Sequence, residues 1–205
     1  FDALQRRFET ALNNRGNWDA TFQQIAERVL PQMSDFGTKR ADGERRTEVM
    51  FDATAALAAQ RACAAVASFF WPSNQRYQKL TTDNKALNKV HAVKLYLETV
   101  TEILFASRYS PRAAFEAQMG EAALQFFVFG TGLMFVDEHV GRALRYKALH
   151  LAQTYLCEGA SGHVDTVFRS WKWTLRQVEQ RWPGKLPTEL AGRLDRNPDE
   201  EIEVA

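Results

Sequence analysis

FEAQMGEAALQFFVFGTGLMFVDEHVGRALRYKALHLAQTYLCEGASGHVDTVFRSWKWTLRQ, residues 115–177, decides the fold. An apolar helix runs through Phe126-Phe127-Val128-Phe129 and stops at Gly130. Such an apolar run predicts a helix end buried on all sides. Gly130 and Gly132 mark a change from a period of 3.6 to a period of 2. Leu133–Asp137 then reads as a strand with 144–149 as its partner, and the turn falls near Val140-Gly141, where glycine takes positive φ. Residues 155–158 and 163–172 make a second hairpin around Gly159-Ala160-Ser161-Gly162. On its last strand Val167, Arg169, Trp171 and Trp173 share one face, and Val164, Thr166 and Phe168 the other. Thr174-Leu175-Arg176-Gln177 has the spacing of a capping box, so a new helix opens there.

Working outward, that helix ends near Trp182, before Pro183-Gly184. A short helix over 188–196 follows, and the acidic tail NPDEEIEVA shows no core pattern. Upstream, 2–13 reads as a helix with Leu4, Phe8 and Leu12 on one stripe, ended by Asn13, Asn14 and Gly16. A second helix over 18–30 stops at Pro31. The loop 31–46 carries Lys39, Arg40, Arg45 and Arg46. These are candidate phosphate contacts, though Asp42, Glu44 and Glu48 balance them as a solvated connector. Residues 47–71 form a long helix rich in alanine, whose small side chains suit close packing at the centre of a bundle or against a second subunit. It ends at Pro72. Residues 76–81 (RYQKLT) read as extended. A helix over 86–108 places Val90, Val93, Leu97, Val100, Leu104 and Phe105 on one face, and Ser110-Pro111 restarts the chain with proline at the first helical position.

The predicted class is therefore α+β: mostly helical, with a small antiparallel sheet of two hairpins. The division is a helical region 1–130, hairpins 131–173, and C-terminal helices with an acidic tail 174–205. The 26 basic and 25 acidic side chains give a net charge of +1, which leaves no general footprint for wrapping nucleic acid. Cys63 and Cys157 stand far apart without metal-ligand spacing. They offer no disulfide framework and read as core or near-surface thiols in a reducing compartment. The start, FDALQRRFETALNNR, lacks an apolar signal core, and the absence of an initiator Met implies a missing N-terminus. No apolar run reaches the length of a spanning helix.

No catalytic, cofactor or metal constellation is visible. Gly130-Thr131-Gly132 follows a helix and precedes a strand, the reverse of a dinucleotide loop. Asp137 and His139 share a strand face beside a turn, as do His163 and Asp165, and both read as solvated or hydrogen-bonded pairs. No Ser/His/Asp arrangement has a known spacing. The surplus aromatics fit another use. Phe126, Phe127, Trp171 and Trp173 are candidate subunit-interface residues, as well as candidate core.

The order of elements resembles the head-to-tail connector, or portal, proteins of short-tailed bacteriophages. WDATFQQIAERVLPQ (18–32) is similar to that family's opening helix ending in proline. Met50-Phe51-Asp52-Ala53-Thr54-Ala55, with the alanine-rich helix and its stop over 68–72, resembles its Phe-Asp-x-Thr helix, and Tyr77-Gln78-Lys79-Leu80 takes the place of a short post-proline strand. Phe129-Gly130-Thr131-Gly132-Leu133 resembles its helix-to-strand switch. Val164-Asp165-Thr166-Val167-Phe168-Arg169 with Thr174-Leu175-Arg176-Gln177 matches a late strand and helix start. The resemblance spans residues 18–182. Family members are much longer, so the chain reads as a wing-like fragment without stem, clip or tunnel loop.

The resemblance implies a non-enzymatic structural subunit of a ring, a dodecamer, at one capsid vertex of the virion, assembled in the host cytoplasm. Double-stranded DNA passes through such a ring during packaging and ejection. Its other partners are capsid, scaffold, terminase and tail or adaptor proteins, with no membrane and no cofactor. Lys39, Arg40, Arg45 and Arg46 are the DNA-contact candidates. The competing reading of the residues is a helical adaptor that binds a single protein partner through its aromatic surface.

Overall fold

Asn13, Asn14 and Gly16 do not end the first helix. The computed structural model describes residues 2–37, 41, 43–138 and 144–205, and in it α1 runs unbroken over Asp2–Val29. A mid-helix glycine costs only about 1 kcal/mol relative to alanine. Packing of the turns before Gly16 outweighs that. Phe8 sits edge-on to Tyr155 at 5.4 Å and against Phe168 at 5.7 Å, Ala11 is buried, and Arg15 stacks over the Tyr155 ring and donates to the Thr154 carbonyl.

The remaining elements are α2 (Thr54–Phe70), α3 (His91–Arg108), α4 (Phe115–Phe129), β1 (Leu133–Asp137), β2 (Arg145–Leu149), β3 (Thr154–Glu158), β4 (Val164–Arg169), β5 (Trp171–Thr174), α5 (Leu175–Arg181), α6 (Thr188–Leu194) and β6 (Glu201–Val204). Among the described residues the strands form three antiparallel pairs, β1–β2, β3–β4 and β5–β6. The class is α+β, as expected from the sequence. The hairpin turn at Val140-Gly141, His139 and the basic pair Lys39 and Arg40 lie outside the described residues.

The chain divides into two compact units: residues 1–16 with 152–205, and residues 17–151. In the larger unit Ala26, Leu30, Phe129 and Leu151 form a buried cluster, with Phe22, Ile25, Met33, Phe36, Leu124, Val128 and Leu133 packed around it. Gln23 fastens the following loop to this cluster: its Oε1 accepts the N–H groups of Phe36 and Gly37 at 3.0 and 3.2 Å. The expected 47–71 helix begins only at Thr54, whose N–H donates to Asp52 Oδ1 at 2.8 Å. That bond holds the exposed Asp52 carboxyl below its ordinary value. Cys63 is buried, its Sγ 3.4 Å from the Gly120 carbonyl, and burial raises its thiol pKa. Both cysteines are free.

Pro111 opens a turn rather than a helix. Ala113 is fully buried and its carbonyl accepts the Tyr146 N–H of β2 at 3.0 Å, which pins the turn. Ala114 adopts φ +55°, a left-handed geometry that only then releases the chain into α4. The helix expected from Ala86 is likewise split: a 3-10 turn at Leu87–Lys89 and an extended Val90 precede α3. Residues 76–81 are free of helix, turn and strand pairing.

In the smaller unit the strand expected over 163–172 breaks at Ser170. The Ser170 N–H donates to the Gln153 carbonyl at 2.8 Å, so β5 leaves β3 and pairs instead with β6. The acidic tail, expected to lack a core pattern, supplies that strand: Glu201 and Glu203 face solvent while Ile202 and Val204 are half-buried. It also completes the cap of α5. The Leu175 and Arg176 N–H groups each donate at 3.0 Å to the carbonyls of Glu200 and Pro198, and the Thr174–Gln177 capping box is present in both directions.

Candidate assembly surfaces

Three sets of side chains stand out once the helices are in place. The first is the end of α4. Its buried stripe, Phe115, Ala122, Gln125 and Phe129, follows helical spacing. Phe126 and Phe127 fall off that stripe, 56% and 39% exposed, with their rings edge to face at 5.8 Å. The Phe126–Phe129 run is therefore not buried all round: Phe129 enters the core and Val128 packs against it, while Phe126 and Phe127 do not. Gly130 closes the helix at φ +78°, its N–H donating to the Phe126 carbonyl at 2.8 Å. Gly132 then lies so close to α4 that a Cβ would sit 2.4 Å from the Ala122 carbonyl oxygen.

The second set surrounds β5. Trp171 and Trp173 share a face, as expected, with ring centroids 5.3 Å apart, and Trp182 of the chain after α5 adds a third ring 5.6 Å from Trp173. Arg169 stacks on Trp171 at 4.4 Å. Burial lowers the Arg169 pKa, and its Nε and the Trp171 indole N–H are buried without an acceptor among the described residues. The tail provides the opposite strand, with Ile202 in register with Trp173 and Val204 with Trp171. Both tryptophans are half-buried, which suits a local cluster with a remaining open side.

The third set was not singled out in the sequence. α3 turns Val93, Leu97, Val100, Thr101 and Phe105 inward, and beside the charged stripe of Lys94, Glu98 and Glu102 its outer face carries an apolar one: Leu95, Tyr96 and Ile103 are exposed with Ala92, Thr99 and Ala106 between them. A second apolar stripe at i, i+3, i+7 is the signal that was available. α2 is similar. Cys63 is its buried residue, Ala59 and Val66 are half-buried beside it, and Leu57, Ala58, Ala64 and Ala65 are exposed. It thus lies at an edge, not at the centre of a bundle.

Between α3 and α4 the Arg108 guanidinium has no carboxylate partner among the described residues. It donates to Tyr77 Oη at 3.0 Å and Gln78 Oε1 at 2.7 Å, and stacks on Phe105 and Phe115. The Tyr109 hydroxyl donates to the Trp71 carbonyl at 3.2 Å, and its oxygen lies 3.2 Å from Tyr77 Oη. Its phenol is pushed well above its ordinary value, first by burial and then by Tyr77. Tyr109 lines an open cleft of about 430 Å³ with Ser110, Pro111, Phe115 and Glu116, and stays protonated there near neutral pH. A raised folded pKa contributes stability that is present below the unfolded phenol value, about 10, and lost as pH rises beyond it. Tyr109→Phe should therefore remove a late-ionising phenol from the alkaline absorbance titration of the folded chain. A variant whose high-pH titration lacks no late phenol relative to the parent would contradict this.

Of the four basic candidates, Arg45 and Arg46 are described. Arg46 is spoken for: it pairs with Asp35 at 2.6 Å and donates to the Gln32 carbonyl at 3.0 Å. Arg45 donates to Thr47 Oγ1 at 3.3 Å. No cluster of three or more His, Cys, Asp or Glu with metal-binding geometry occurs among the described residues. No helix among them is long and apolar enough to cross a membrane.

The model of the bacteriophage head to tail connecting proteins matches residues 2–205. The chain belongs to this family. It is also similar to the portal protein of Salmonella phage epsilon15, 24% identical over 187 residues, which cover 88% of this chain and 32% of that relative. The connector chain thus spans about a third of the length of the portal protein it matches. The helix-to-strand switch at Gly130 and the Thr174 cap, two of the features on which the resemblance rested, are both formed.

Proposed function

We propose that this connector chain is the wing-like part of a portal subunit, and that portal subunits close into a ring, a dodecamer, at one vertex of the virion capsid. DNA is packaged and ejected through that ring, which serves as docking platform for capsid, scaffold, terminase and tail proteins during assembly in the host cytoplasm. The observation that carries this reading is the family match over residues 2–205. The exposed apolar faces of α2 and α3 and the pair Phe126 and Phe127 support it, because a monomer gains nothing from contiguous apolar surface of this kind. Trp171 and Trp173 are proposed as a second contact. Lys39, Arg40, Arg45 and Arg46 are proposed DNA contacts, with Arg46 the one whose charge Asp35 already compensates.

The adaptor reading, one partner held by the aromatic surface, is tested alongside. Native mass measurement of the full-length protein, with and without scaffold, is expected to give a closed oligomer of one dominant stoichiometry. A chain that stays monomeric while binding one partner protein would favour the adaptor.

A further inference from the structure

β2 has both edges occupied. On one side it pairs with β1, in the register Leu133↔Leu149, Phe135↔Lys147 and Asp137↔Arg145. On the other, the Tyr146 N–H donates to the Ala113 carbonyl at 3.0 Å and the Ala148 N–H to Gln118 Oε1 at 2.7 Å. Antiparallel residues alternate between pairs that exchange hydrogen bonds and pairs that do not. Tyr146 and Ala148 point away from β1, so their partners Val136 and Met134 point away from β2. The N–H and C=O groups of Met134 and Val136 therefore form an open strand edge with no hydrogen bond among the described residues. It carries four consecutive apolar side chains, with Phe135 46% and Val136 50% exposed. Neither proline nor lysine blunts it, as an edge that must avoid other chains usually requires.

The same unit holds an extended segment without a strand partner. Over residues 76–81 one inward bond is made, from the Leu80 N–H to Thr101 Oγ1 at 3.4 Å. No bend interrupts residues 76–81, and in an extended chain Tyr77, Lys79 and Thr81 stand on the opposite alternation from Leu80; their backbone groups make no hydrogen bond among the described residues. The segment is held straight from both ends. The Tyr77 hydroxyl is fixed by Arg108 and Tyr109, and the Thr82 N–H by Asn88 Oδ1 at 2.9 Å.

We propose that residues 76–81 of one copy add as an antiparallel strand to the open β1 edge of the next copy. The register that matches outward groups to outward groups sets Lys79 opposite Val136 and Thr81 opposite Met134. It brings together two exposed apolar side chains, Leu80 and Phe135, and places Lys79 diagonal to Glu138, opposite in charge. DNA has no strand to add to this edge, and a second copy carries both halves of the contact. Because edge and segment are different parts of the surface, the contact is head-to-tail and repeats from copy to copy. This rests on the ring reading and names the strand contact within it.

Val136→Pro tests it. That proline removes an outward N–H and no bond of the β1–β2 ladder, so the hairpin should fold, whereas Phe135→Pro removes an inward donor and should not. In the full-length protein V136P is expected to keep its circular dichroism and its hairpin hydrogen exchange while ring yield falls at least about tenfold, the equivalent of ~1.4 kcal/mol in the overall assembly equilibrium. Independently, Leu80→Cys with Phe135→Cys, in a Cys157→Ser background, should oxidise to a ladder of disulfide-linked copies that neither single variant gives. Rings from folded V136P at wild-type yield would overturn the strand contact and leave the ring reading intact. Should V136P misfold, the cross-link decides, and its absence overturns the contact. A wild-type protein that never associates would overturn both.

Discussion

Gly132→Ala should destabilise the larger unit by about 3 kcal/mol, at the upper end of what overpacking usually costs. A Cβ at position 132 meets the Ala122 carbonyl oxygen at 2.4 Å, and Ala122 C and Phe126 Cβ at 3.2 Å. The first two belong to helical backbone, which cannot swing aside as a flexible side chain would. Either β1 lifts from α4 or the last two turns of α4 shift, and both open the cluster around Phe129. Gly130 supplies the control. It has left-handed φ but nothing near its missing Cβ. Gly130→Ala therefore pays only the conformational penalty, about 1–2 kcal/mol, and Gly130→Asn less. Denaturant unfolding monitored by hydrogen exchange of β1 should rank the three in that order. A Gly132→Ala chain within about 0.5 kcal/mol of wild type would show that helix and strand are not in the close approach described.

The second large effect is expected at Trp173. Its ring bridges Trp171 and Trp182 and lies in register with Ile202 of the tail strand. A fully buried tryptophan costs about 3–5 kcal/mol on truncation to alanine, and this half-buried one should cost about 2–3 kcal/mol. The loss should be local. A two-stranded ribbon is marginal by itself, so β6 should detach, and with it the Glu200 and Pro198 carbonyls that accept the first N–H groups of α5. Amide exchange at 201–204 and at the start of α5 should rise together, while α2–α4 stay protected. If Trp173→Ala leaves the tail protected and abolishes binding to one partner protein, the tryptophans are a recognition surface and the adaptor reading gains.

How far the sequence reached depends on where each signal is stored. The helix-to-strand switch was legible because Gly130 and Gly132 act locally, through φ and through the missing Cβ. The Thr174 cap was legible because its donor and acceptor are three residues apart. The continuity of α1 was not, because Phe8 and Arg15 draw their support from residues near 154–168, which no window around Asn13 contains. The turn at Pro111 is fixed by Tyr146, more than thirty residues away. β6 is the instructive case. Glu201-Ile202-Glu203-Val204 alternates as a strand should, but four acidic-apolar residues mean little until Trp171-Lys172-Trp173-Thr174 is placed opposite. Phe126 and Phe127 are exposed at the end of α4, whereas the outer apolar stripe of α3 was hidden by the stronger pattern on its inner face.

On the proposed reading this connector chain works by assembling. Negative-stain imaging of the full-length protein, purified with and without scaffold, tests it most directly. Ring-shaped particles of uniform diameter, with an axial opening wide enough for duplex DNA, are the expected result. Particles that remain single copies under every condition, scaffold included, would contradict it.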